Sequence, residues 1–125
     1  MQATGHFART ADQTAAARDF VRTTMDDWGI EARVDDVVLM ASELFTNAVL
    51  HGAGAVDVTV SLRDGDLRVE VIDEGSDHLP IRAQLPSPGT IGGHGLAIVD
   101  ALANAWGKGR DHLGRTRVWL EVPSS

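Results

Sequence analysis

Cysteine is absent from the 125 residues, which excludes disulfides, thiolate nucleophiles and Cys-ligated zinc together. That absence suits a reducing compartment, and the chain is expected in the cytoplasm. Cations are scarce as well: 11 Lys and Arg face 18 Asp and Glu, the formal net charge is -7, and no basic cluster interrupts that balance. Counterion release from nucleic acid or an anionic membrane needs several gathered cations, so neither is expected as a direct partner. No apolar run approaches the roughly 20 residues that span a bilayer, and the polar start MQATGHFARTADQT lacks the apolar stretch of a secretion signal. G-x-x-x-x-G-K-[ST] and G-x-S-x-G are both missing, which removes the P-loop and the nucleophile elbow of serine hydrolases.

What is present, 43% hydrophobic and 23% charged residues, suffices for one domain with a core, taken as residues 1–125. Apolar residues recur at helical spacing from Asp12 to Trp28, with Thr10 or Asp12 as N-cap and Gly29 as stop. A second helical pattern, Arg33 to Leu50, is apolar around much of its circumference and must be covered on more than one side. The period then changes. VDVTVSL and LRVEVID alternate apolar with polar residues around an Asp-Gly turn, which predicts a hairpin.

Between Glu74 and His94 periodicity is lost, and three of the four prolines and four glycines gather there, as in a functional loop. GLAIVDALANAW, Gly95 to Trp106, returns to helical spacing. KGRDHLGRTRVWLEV reads as a second hairpin with Thr116, Val118, Leu120 and Val122 on one face. The order helix, helix, strand, strand, loop, helix, strand, strand predicts an α+β fold in two layers.

Inside SELFTNAVLHG, the residues Glu43, Asn47 and His51 stand every fourth position, within an arc of about 80° on a helix of 3.6 residues per turn. By themselves they are either a polar edge that hydrogen-bonds to loops or one wall of a site. In VEVIDEGSD a carboxylate, Asp73, emerges at a strand end and is followed by Gly75, where backbone or ligand can approach closely. GGHGLAIVDALA sets a glycine-rich loop before a helix, whose free N–H groups and positive dipole end favour anions.

Together, ELFTNAVLHG, VIDEGSD and GGHGLAIVDALA resemble the N, G1 and G2 boxes of the GHKL ATPase superfamily, and the short form resembles the anti-sigma factor serine kinases of bacteria. The resemblance runs from the first helix to the last hairpin. It implies the Bergerat ATP-binding fold: a two-layer sandwich with helices on one face of a mixed, mostly antiparallel sheet, and an ATP lid at about 77–94. By motif, Asn47 would coordinate the Mg2+ that bridges the phosphates of ATP, and Glu43 would act as base on the attacking hydroxyl. The residue types suit those tasks, since an amide oxygen completes an oxygen octahedron without adding charge and a carboxylate one turn away can reach the nucleophile.

Asp73 would accept a hydrogen bond from the adenine amino group, with Gly75 keeping that wall open. Gly93, His94 and Gly95 would flank the phosphates, and the helix starting near Leu96 would lend its dipole. His51 matches a histidine frequent at the end of this helix in the family, where its role is structural.

The implied activity is that of a serine/threonine protein kinase that phosphorylates a STAS-domain anti-sigma factor antagonist, holds a sigma factor and so regulates transcription; a homodimer is left open. A sensor histidine kinase would require a dimerisation helix pair with its phospho-acceptor histidine, which these residues do not contain. Two departures point to an alternative, a non-catalytic nucleotide-gated protein-binding module of the same fold. Asp77 replaces the second glycine of the G1 pattern, and His94 stands where relatives often carry Arg, leaving Arg82 as the sole Arg or Lys between Glu74 and Gly95. A metal-dependent hydrolase using Glu43, Asn47 and His51 as ligands lacks an accompanying HExxH or aspartate cluster.

Overall fold

The alternating residues of the last strand, Thr116, Val118, Leu120 and Val122, are all buried, as their pattern predicts. In the computed structural model, which describes residues 1–75 and 94–125, they line one face of a five-stranded sheet. The strands are β1 (Gln2–Phe7), β2 (Val56–Arg63), β3 (Asp66–Asp73), β4 (Ala105–Arg110) and β5 (Thr116–Pro123), in the order β1-β2-β3-β5-β4. Each ladder among them is antiparallel. The helices α1 (Thr14–Asp27), α2 (Val34–His51) and α3 (His94–Leu102) cover the apolar face. This is an α+β fold of the Bergerat type. The lid segment with Asp77, Arg82 and Gly93, and the side-chain surroundings of His94 and Gly95, lie outside the described residues.

α1 ends where expected, because Gly29 takes φ 70° and lets the Ile30 and Gly29 N–H groups close on the Met25 and Asp26 carbonyls at 2.9 and 3.0 Å. Its start differs from expectation. A 3-10 turn, Ala11–Gln13, intervenes, and the Thr10 hydroxyl donates to the Asp12 carboxylate instead of capping a backbone N–H. α2 buries Val37, Val38, Met40, Ala41, Leu44, Phe45 and Ala48, a face wide enough to meet α1, α3 and the sheet. Phe45 is fully buried and meets Phe7 edge-on at 5.8 Å, which fastens β1 to the helix layer.

The β2–β3 turn is the type I′ that its Asp-Gly pair predicts, with φ 53° at Asp64 and 84° at Gly65. Two expectations require correction. The helix read as Gly95 to Trp106 stops at Leu102, and Ala105 and Trp106 belong to β4. There the Asn104 N–H already bonds the Glu121 carbonyl at 3.0 Å, and Trp106 faces Leu120 across the ladder, so sheet pairing outcompetes another helical turn. The polar N-terminus, which shows no strand signal, forms β1 because pairing with β2 satisfies its backbone.

Candidate functional site

The helix-facing side of the sheet is built of rungs. Val60, Val69, Leu120 and Trp106 form one; Val58, Val71, Val118 and Lys108 form the next; Val56, Asp73, Thr116 and Arg110 form the last. The apolar character gives way at that last rung, where Asp73 is 5% exposed and Thr116 7%. Thr116 was legible as a strand-face residue but not as a polar neighbour of Asp73. Only the β3–β5 register places the two opposite each other.

Asp73 is held by its surroundings. Its Oδ1 accepts the Gly75 N–H at 2.7 Å and the Ala53 N–H at 3.4 Å, while Oδ2 has no hydrogen-bond partner among the described residues. Gly75 adopts φ 87° and packs so closely on the β4–β5 turn that a Cβ there would lie 2.2 Å from the Gly114 carbonyl oxygen. Gly52, directly after α2, is equally constrained: a Cβ would lie 2.6 Å from Asp73 Oδ2. The C-terminus of α2 is thereby lodged against the carboxylate. Arg9 clamps the same helix end, donating to the Val49 carbonyl at 3.0 Å and the Gly54 carbonyl at 3.1 Å, where a cation complements the helix dipole. Glu74 is engaged nearby, accepting the Ala55 N–H at 2.8 Å.

Asn47 lies five residues before Gly52, about 7.5 Å along the helix axis from the end that abuts Asp73. It and Glu43 are half-buried on one flank of α2. The opposite flank, with Asp35, Leu39 and Ser42, faces Arg18 and Arg22 of α1. Asp36, two turns before Glu43, bonds Arg33, whose guanidinium also reaches the Leu102 carbonyl at the end of α3. Glu43 and Asn47 therefore point along the α3 side of the helix. Neither side chain makes a hydrogen bond among the described residues, so a carboxylate and an amide stay available one turn apart.

His51 is exposed at the end of α2. Leu96, in the first turn of α3, is buried in the core. No group of three His, Asp or Glu side chains with metal-holding geometry forms among the described residues.

Two cations on the edge strand stand toward the Asp73 end of the sheet. Arg110 reaches the Gly114 carbonyl at 3.4 Å and stands beside Gly75. Lys108 is half-buried in the adjoining rung, where desolvation lowers its pKa against the pull of Asp73, which raises it. The other face of the sheet is a broad concavity of about 640 Å³ crossed by ion pairs, among them Arg68–Glu70 at 3.2 Å and Arg117–Glu70 at 2.5 Å. It shares no residue with the Asp73 rung on the helix side.

The family model for the histidine kinase-like ATPase domain matches residues 7–121. Over 65 residues the chain is 35% identical to the anti-sigma F factor of Clostridium acetobutylicum, covering 45% of this chain and 46% of that protein. Over 103 residues it is 32% identical to the sensor histidine kinase component HK1 of Mycobacterium tuberculosis, covering 74% of this chain and 61% of that protein. The chain thus spans less than two thirds of the length of each of these relatives. No helix among the described residues is long and apolar enough to cross a membrane.

Proposed function

Because the chain belongs to the family of histidine kinase-like ATPase domains, we propose that it is an ATP-binding serine/threonine protein kinase of anti-sigma factor type, acting on a STAS-domain anti-sigma factor antagonist and through it on a sigma factor. The observation that carries this reading is the buried Asp73 carboxylate, held through Oδ1 by the Gly75 N–H at 2.7 Å with Oδ2 uncommitted beside Gly52. An anchored acceptor at the end of an apolar face suits the amino group of adenine, whose ring would lie against the Val71 and Val118 side of the sheet. The identity to an anti-sigma F factor gives the direction of the partner assignment.

The residues on α2 fit the phosphate end. Asn47 has an unclaimed amide, suited to hold Mg2+ through its oxygen, and the ion when bound supplies charge neutralisation between the phosphates. Glu43, one turn away and equally unclaimed, accepts the proton of the substrate hydroxyl as that oxygen attacks. The α3 N-terminus, at His94, lies at the end of the lid segment and adds a positive dipole end.

Incubation with radiolabelled ATP and a STAS-domain protein tests the reading. Glu43→Ala is expected to lose transfer by about 100-fold or more while calorimetric ATP affinity stays near that of the unaltered protein. Equal loss of both removes Glu43 as base. Binding without any transfer leaves the nucleotide-gated module, the reading that Asp77 and His94 favour.

A further inference from the structure

Arg9 stands outside every motif of the sequence, yet it touches the loop that closes on Asp73. It follows Phe7 by two residues, and Phe7 meets Phe20 at 6.0 Å and Phe45 at 5.8 Å, so the connector from which Arg9 extends is fastened to the core. From there the half-buried guanidinium forks. Its Nη1 donates at 3.0 Å to the Val49 carbonyl, left open in the last turn of α2, and its Nε at 3.1 Å to the Gly54 carbonyl beyond the helix.

Glu74 takes hold of the same loop from the other side. The Gly54 carbonyl and the Ala55 N–H belong to one peptide group, and in a trans peptide they point in opposite directions. Arg9 holds the carbonyl, and the Glu74 carboxylate accepts the N–H at 2.8 Å. Gly54, at φ 66°, lets that carboxylate approach, because a Cβ there would collide with it. The Glu74 N–H in turn donates to the Ala53 carbonyl at 2.9 Å. One peptide plane is thus gripped at its two ends by opposite charges, directly after the two residues that meet Asp73. Those are Gly52, packed against Oδ2, and Ala53, whose N–H reaches Oδ1 at 3.4 Å. A bond that long has little hold of its own, so Arg9 and Glu74 keep the loop in place rather than Asp73.

Taking the nucleotide-binding reading as its basis, we propose that Arg9 and Glu74 are a pair of positioning residues for the base: by fixing the Gly54–Ala55 peptide they hold the α2–β2 loop against Asp73 and keep Oδ2 presented to the ligand. Both act through Asp73 and not on the ligand. Without Arg9 the loop loses its tie to the β1 connector and Asp73 gains rotamer freedom. A ligand that uses Oδ2 must then order the side chain and the loop as it binds, which weakens its affinity.

The test is a double-mutant cycle, read by calorimetric titration of the whole chain with ATP and magnesium. Asp73→Asn removes the acceptor, since the new amide must turn its oxygen to the Gly75 and Ala53 N–H groups and its NH2 toward the ligand. Arg9→Met, which keeps an apolar stem and loses both donors, is expected to weaken ATP binding about tenfold with Asp73 present and under about threefold in the Asp73→Asn background. Arg9→Lys keeps the charge without the planar fork and should recover part of the loss. Glu74→Met should match Arg9→Met, and the two together should lose no more than about threefold beyond either, because they act on one peptide.

A general structural role would give the same loss with and without Asp73, and that outcome overturns the proposal. So does an ATP affinity indifferent to Arg9, or full additivity of the Arg9 and Glu74 losses. Should Arg9→Met melt below the assay temperature, Arg9→Lys carries the same cycle, with a loss of about threefold expected only where Asp73 is present. If the unaltered protein binds no ATP, the nucleotide reading itself falls and takes this proposal with it. ATP binding that Asp73→Asn weakens, with no coupling to Arg9, overturns only the positioning role.

Discussion

Replacing Gly52 by alanine isolates the contact on which the site depends. Gly52 has φ -88° and ψ -168°, a conformation open to any residue, so the substitution carries no backbone strain. Its consequence is purely spatial. The new methyl would stand 2.6 Å from Asp73 Oδ2 and 2.6 Å from the Ala48 carbonyl oxygen, where ordinary contact begins at 3.4 Å. The carbonyl cannot move freely, because it accepts the Gly52 N–H at 2.8 Å and closes the last turn of α2. The carboxylate must therefore retreat by about 0.8 Å, stretching its bond from the Gly75 N–H, or the helix end must lift.

Overpacking of this kind costs roughly 1–3 kcal/mol of stability. Loss of one hydrogen bond to a charged group, about 1.5–3 kcal/mol, corresponds to roughly ten- to a hundredfold in Kd for ATP. Urea denaturation and titration with ATP read the two quantities separately. Gly109→Ala is the control, since nothing lies within 4 Å of its Cβ position, and it should stay within about 0.5 kcal/mol of the unaltered protein. A Gly52→Ala protein with unchanged stability and unchanged ATP affinity would refute the lodging of α2 against Asp73.

Asp111 in the β4–β5 turn gives an acid-side prediction. Desolvation pushes its pKa up, but the Arg115 and Leu113 N–H groups and the Arg115 and Arg117 guanidiniums outweigh it and hold the carboxyl well below the ordinary 3.8. Its stabilising effect is complete above that ordinary value and is lost as pH falls toward the lowered one, so Asp111→Asn should be less stable at neutral pH and show a shallower acid unfolding profile. Lys108 gives the alkaline counterpart. Its folded pKa lies below 10.5, the unfolded chain holds the proton longer, and stability should rise with pH through that window; denaturation of Lys108→Met should lack the slope. Phe45→Ala, which empties a fully buried site against Phe7, should cost about 3–5 kcal/mol in the same denaturation assay.

The legible parts of the fold were those with a strong local period. The type I′ hairpin follows from Asp64-Gly65 between alternating strands, because the primed turns match the strand twist and an Asp-Gly pair tolerates the two positive φ values of type I′. α2 follows from its broad apolar circumference. β1 carries little local signal, because Gln2–Phe7 has only Ala3, Gly5 and Phe7 on its core side, too little apolar bulk to stand out as alternation. Asn104 to Trp106 misled in the opposite way, since the helical spacing of α3 continues into a segment whose backbone bonds are supplied by β5.

For the site, sequence by itself determined the chemical alphabet: an amide and a carboxylate one turn apart on a helix, and an Asp-x-Gly at the end of a strand. Those are local patterns, written within a few residues of one another. Tertiary structure alone decided which groups stand together. Thr116 and Asp73 are 43 positions apart and meet only through the antiparallel β3–β5 register, and Lys108 comes beside them only because β4 adds to the far edge of β5. The lodging of Gly52 against the carboxylate depends on how far α2 descends onto the sheet, a matter of the core packed beneath the helix and of the Arg9 clamp at its end. Periodicity reports the face on which a side chain lies. Register and packing depth report what it faces, and these are properties of the assembled chain.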